Sequence, residues 1–135
     1  MPRMIFVNLP VKDLDKSMAF FKALGFSFNT QFTDETAACM VISDTIFAML
    51  LTHPKFKEFT PKAIADATQT SEVLIALSRE NREAVDKIVA DAVAAGGSTY
   101  NKPQDHGFMY GHGFQDLDGH IWEVMWMDPA AVQQN

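Results

Sequence analysis

The chain has a single cysteine, Cys39, in 135 residues, so it cannot close an internal disulfide and is not a stapled secreted scaffold. It has no apolar run near the roughly 20 residues that a membrane-crossing helix needs. The opening stretch places Lys12 and Asp13 where a secretory leader requires its apolar core, which leads to the expectation of a cytoplasmic protein. Basic charge is also scarce: 11 Lys and Arg against 17 Asp and Glu give a net charge of −6. A phosphate backbone or an anionic membrane calls for the opposite balance, so neither nucleic acid nor membrane is an expected partner. What the chain does have is 47% hydrophobic residues, enough for one globular core and too many for a disordered segment.

Hydrophobic periodicity divides the chain into two similar halves. Ile5 to Val11 alternates as a strand, with Pro10 confined to its end or its unpaired side. Asp13 is a good N-cap, and Leu14, Met18, Phe21 and Leu24 form a helical stripe that stops at Gly25. Strand-like runs follow at Phe26 to Thr33, Thr36 to Ile42 and Ile46 to Thr52. The polar stretch His53 to Thr70 breaks the pattern, with a short helical turn expected over Lys62 to Ala67. The plan then restarts: a strand over Val73 to Leu77, a cap at Ser78, a helix with the stripe Val85, Ile88, Val89 and Ala92, and a stop at Gly96-Gly97. A weak strand at Thr99 to Asn101, a loop over Lys102 to Gly107, and strands over Phe108 to Gln115 and Ile121 to Met127 complete it. The expected domain is therefore α+β, one domain of two βαβββ modules, with module one at 4–52, a linker at 53–70, module two at 71–127 and a tail at 128–135.

Each helix must cover an apolar sheet face, and the opposite face is left to line a cavity. In the first strand the covered face is Ile5, Val7, Leu9 and Val11, which leaves Phe6 and Asn8 for the cavity. In the second module Val73, Ile75 and Leu77 go under the helix, while Glu72, Leu74 and Ala76 face away from it. Centring the last hairpin loop on Asp118-Gly119 pairs Phe114 with Glu123 and His112 with Met125. That register groups Tyr110, His112, Phe114, Glu123 and Met125 on a cavity wall, with Phe108 opening the same strand, and puts Trp122, Val124 and Trp126 beneath the helix. A carboxylate among aromatics is costly to bury without a partner, so Glu123 is the leading site candidate from residues alone.

The opening Leu9-Pro-Val-Lys-Asp-Leu14, the helix end Leu24-Gly-Phe26 and the closing Asp116-Leu-Asp-Gly-His-Ile-Trp-Glu-Val124, set in two βαβββ units, resemble the vicinal oxygen chelate superfamily. This is the glyoxalase, bleomycin-resistance and extradiol dioxygenase family, and the resemblance spans essentially the whole chain. It implies that the modules form a curled, open mixed sheet and that the chain is a homodimer with its cavities at or near the subunit interface. Metal-using relatives carry ligands at four cavity-facing positions. These fall here on Phe6, on Leu50 or a neighbour, on Leu74 and on Glu123, of which only Glu123 is a ligand type. Hydrocarbon side chains cannot donate lone pairs, and one carboxylate does not complete a zinc or iron site.

The sequence thus leads to a metal-independent member of this family that needs no cofactor and holds a small, mainly apolar molecule. Glu123 and His112 would form the polar end, with Tyr110 completing an acid-base set; the competing role for all three is structural pairing. His106 would either close over the ligand or cap a turn. The rival is a metal-dependent lyase, isomerase or dioxygenase with relocated ligands, for which His112, Glu123 and Glu72 would have to converge.

Overall fold

Two residues after the first strand ends at Val11, Asp13 begins the first helix. Its carboxylate accepts the Lys16 N–H at 3.1 Å and caps helix α1, Leu14–Ala23. The helix stops where Gly25 takes φ +101, which lets the Phe26 N–H reach back to the Phe21 carbonyl at 3.1 Å. Leu14, Ser17, Phe20, Phe21 and Leu24 are buried, so the covered stripe lies slightly to one side of the expected one and Met18 falls at its margin.

The computed structural model describes residues 2–132. The chain divides between Asp66 and Ala67 into two compact units. Unit one contains β1 (Ile5–Val11), α1, β2 (Ser27–Asn29), β3 (Ala37–Val41), β4 (Ile46–Thr52) and the short helix α2 (His53–Lys57). Its four strands form one mixed sheet in the order β1-β4-β3-β2, with β1 parallel to β4. The strand expected over Phe26 to Thr33 is cut short by a 3-10 turn at Thr30–Phe32, where the Asn29 side chain takes the Gln31 N–H. The helical turn expected over Lys62 to Ala67 is absent. The helix lies at His53–Lys57 instead, capped by Thr52 and opened by Pro54.

Unit two repeats the order: β5 (Leu74–Ser78), α3 (Arg82–Ala94), β6 (Gln104–Asp105), β7 (Met109–Gln115), β8 (Ile121–Met127) and the short helix α4 (Pro129–Val132). The sheet runs β5-β8-β7-β6, with β5 parallel to β8. Asn81, rather than Ser78, caps α3 by accepting the Ala84 N–H at 2.7 Å. Val85, Ile88, Val89 and Ala92 are its buried stripe. The expected strand at Thr99 to Asn101 is not formed; Ser98 makes one isolated bridge to Gln115, and the edge strand is Gln104–Asp105.

The β7–β8 register differs from expectation by one residue. Asp116 N–H bonds the His120 carbonyl at 3.0 Å, and Gly119, at φ +88, closes the turn with a 3.1 Å bond to the Asp116 carbonyl. The loop between that pair is odd in length, so Gly113 faces Glu123, His112 faces Val124 and Phe114 faces Trp122. A one-residue shift moves a whole strand to the other face. Tyr110, His112 and Phe114 therefore lie with Trp122, Val124 and Trp126, while Met109, Gly111 and Gly113 share the Glu123 and Met125 face. Parallel pairing sets Ala76 beside Glu123.

Candidate functional site in unit two

A groove of about 140 Å³ opens beside Glu123, bordered by Tyr100, Asn101, Gln104, Met109, His112 and Met125. Of the two glycines of β7, Gly111 lines it and Gly113 lies further along the same face of the strand. A β-carbon on Gly113 would overlap the Tyr100 hydroxyl, so the absence of a side chain there lets the Tyr100 ring lie over the strand. Gly111 is roomier: the nearest atoms to a β-carbon there are the Val124 carbonyl oxygen at 3.4 Å and Met125 Cβ at 3.9 Å.

Glu123 is half-buried, and among the described residues no hydrogen bond or ion pair reaches its carboxylate. Its charge is felt by Tyr100, whose phenol is held above its usual range first by burial and then by that neighbouring carboxylate. Small neighbours, Ala76 on β5 and Gly113 on β7, flank Glu123 across the sheet. His112 borders the groove from the strand edge beyond short β6, its Nε2 lying 3.0 Å from the Asn101 carbonyl.

Other candidates lie elsewhere. Tyr110 is on the α3 side, where its hydroxyl donates to Asp86 at 2.6 Å, and this bond to a carboxylate is the main reason its phenol is held above the usual range. Phe114 is fully buried and stacks on Trp122 at 6.4 Å between centroids. Both were expected on the cavity wall, and the odd loop is the reason they are not. His106 and Phe108 are exposed in the β6–β7 turn, which the His106 N–H closes onto the Met109 carbonyl at 2.8 Å. Glu72 is exposed and precedes β5, and Leu74 is 55% exposed on the groove face of the sheet, outside the groove itself.

In unit one Phe6 stacks on Phe47 at 4.9 Å between centroids, and Asn8 is exposed opposite Met49. Leu50 pairs with Leu9 and is buried on the α1 side, so it does not share the Phe6 and Asn8 face as expected. Met49 and Leu51 do, because neighbouring strand residues alternate. Tyr100, Asn101 and Gln104 were missed. The signal for Tyr100 was present as Gly111 and Gly113 two apart in one strand, a spacing that marks a face where something approaches closely.

Phe6 and Leu74 offer no lone pairs at the positions matched to ligands, and among the described residues no three His, Cys, Asp or Glu side chains come together to hold an ion. His112, Glu123 and Glu72 in particular do not converge.

Comparison with known proteins bears on the fold and the lineage. A bleomycin resistance protein-like N-terminal family matches residues 3–43. Hypothetical protein SA1046 from S. aureus is 32% identical, with 93% of this chain and 95% of that one covered at a TM-score of 0.78. A glyoxalase/bleomycin resistance protein/dioxygenase family enzyme from Burkholderia phytofirmans PsJN is 17% identical, with 93% and 99% covered at 0.76. The fosfomycin resistance protein FosX from Listeria monocytogenes is 19% identical, with 93% of each chain covered at 0.65. No curated protein matches. With its two βαβββ units and its closing Asp-x-Asp-Gly-x-x-x-Glu motif, the chain has the fold of glyoxalase/bleomycin resistance protein/dioxygenase structures, and its residues 3–43 match a bleomycin resistance protein-like family.

Proposed function

We propose that this protein binds a small, mainly apolar molecule in the unit-two groove, without a metal, and that Glu123 is the polar anchor, with His112 at the groove's edge. The observation that carries this reading is the half-buried Glu123 carboxylate, which borders a groove and has no hydrogen-bond or ion-pair partner among the described residues. Partial burial without a partner is unfavourable for a carboxylate, and a ligand that supplies donors removes that cost. Met109, Met125 and the Tyr100 ring give the rest of the groove an adaptable apolar surface. Hydrocarbons at Phe6 and Leu74 support the metal-free part of the reading.

A two-fold dimer is part of the same proposal. Met4, Ile5 and Phe6, on and just before edge strand β1, are about half exposed, as are Val73 and Leu74 on and just before edge strand β5. Exposed apolar sheet edges favour pairing with a second chain. The proposed setting is the cytoplasm, which suits a chain whose one thiol is free and buried. No helix among the described residues is long and apolar enough to cross a membrane.

The test is an amide chemical-shift screen of the full chain against small aromatic and aliphatic compounds. Shifts centred on Gly111, Gly113 and Met125 support the groove; shifts centred in unit one, or none, reject it. Elemental analysis is the second arm, and near-stoichiometric zinc, nickel, manganese or iron that is lost in Glu123→Gln rejects the metal-free reading.

A further inference from the structure

The polar lining of the groove is one-sided. Glu123 brings a negative charge, and the bordering residues include no Lys or Arg to balance it. The Tyr100 phenol beside it stays neutral, since burial and the Glu123 charge both oppose its ionisation. The remaining polar groups are neutral amides at Asn101 and Gln104 and the His112 ring, which is already engaged with the Asn101 carbonyl. Across the sheet the carboxylate is flanked by small Ala76 and by Gly113, over which the Tyr100 ring lies, and the groove itself opens beside Glu123.

We propose that the groove recognises the protonated amine of its ligand, with Glu123 as the counter-ion. This rests on the reading of the groove as the binding site and names the chemistry it selects. An ammonium group carries N–H donors that one carboxylate and a neutral oxygen or two can satisfy, whereas among the described residues no three His, Cys, Asp or Glu side chains come together to hold a divalent metal. An anionic head group would meet Glu123 with no bordering Lys or Arg to offset the repulsion. A neutral one would leave the carboxylate charge uncompensated in a partly desolvated site. The aromatic face of Tyr100 and the sulfurs of Met109 and Met125 tolerate a cation and its attached hydrocarbon.

The test uses three probes of nearly equal shape, benzylammonium, benzyl alcohol and benzoate, titrated into the full-length protein while the Gly111 and Gly113 amides are followed by NMR. Benzylammonium is expected to bind more tightly than benzyl alcohol, and benzoate not at all. Glu123→Gln, nearly isosteric, is expected to weaken benzylammonium by about tenfold or more, and by clearly more than it weakens benzyl alcohol. Equal binding of the alcohol or of benzoate, or an unchanged benzylammonium affinity in Glu123→Gln, overturns amine recognition and leaves the groove standing as a site. If none of the three probes moves the groove amides, the binding-site reading fails and amine recognition fails with it. The ranking in the unsubstituted protein needs no variant, so poor folding of Glu123→Gln would not protect the proposal.

Discussion

The Asp116 carboxylate accepts the Trp122 indole N–H at 3.0 Å in the buried base of the last hairpin, while its other oxygen takes the backbone N–H groups of Asp118 and His120, each at 3.0 Å. This side chain is the centre of the odd loop that turns Glu123 toward the groove. Asp116→Ala strands three donors, of which the indole is fully buried, and is expected to lower stability by about 2–4 kcal/mol in urea unfolding.

The same residue has a pH signature. Burial, the largest influence, holds the Asp116 carboxyl above its ordinary range, partly offset by His120 and by the donors around it. A carboxyl whose folded pKa is raised contributes its full stability below the unfolded value and loses it as pH climbs through the folded value. The stability difference between the unsubstituted protein and Asp116→Asn should therefore shrink as pH rises from the ordinary carboxylate range to just above it. A difference that grows over that window contradicts the assignment.

The two glycines of β7 should respond differently to a methyl group. Gly113→Ala forces the Tyr100 ring aside and is expected to cost about 1–3 kcal/mol and to shift the Tyr100 ring resonances. Gly111→Ala meets only ordinary contacts and is expected to stay within about 0.5 kcal/mol. Equal effects at the two positions would show that Tyr100 does not rest on Gly113.

Arg82, at the start of α3, bonds Asp105 at 2.5 Å and the Gly107 carbonyl at 3.0 Å, and lies over the Tyr110 and Trp126 rings at 5.3 and 5.2 Å. It ties down two-residue β6, whose Gln104 borders the groove. Arg82→Ala is expected to speed hydrogen exchange at His106 and the paired amides of β6 and β7, and to change Trp126 emission. The hydrogen bond from Arg82 is the main influence holding the Asp105 carboxyl below its usual range. The tie is thus fully present above the ordinary carboxylate range and is lost only as pH falls through the depressed value. Early loss, at the ordinary carboxylate pH, would place the ion pair outside the folded ensemble.

Dimerisation has its own check. Sedimentation equilibrium at micromolar concentration should return the dimer mass, and Ile5→Glu or Leu74→Glu, both exposed on edge strands, should weaken association by about tenfold or more without unfolding the chain. A monomeric unsubstituted protein rejects the dimer.

Local chemistry in the sequence determined the elements: Asp13 and Gly25 bound α1, the apolar stripe of α3 predicts its buried face, and the bounds of β4 and β8 match their hydrophobic runs. These depend on neighbours within a few residues, so composition and period suffice. The faces depended on tertiary structure wherever a single residue of register decided them. Leu50 and Met49 are equally apolar, and only pairing with β1 put Leu50 on the α1 side. The Asp116 bonds made the last loop odd and moved Tyr110 and Phe114 away from the groove while Glu123 and Met125 stayed. Tyr100 reached Gly113 across a stretch with no periodicity to predict it. A strand alternates with period two, so the sequence can nominate two faces, but hydrogen bonds and packing between distant segments choose which one becomes the site.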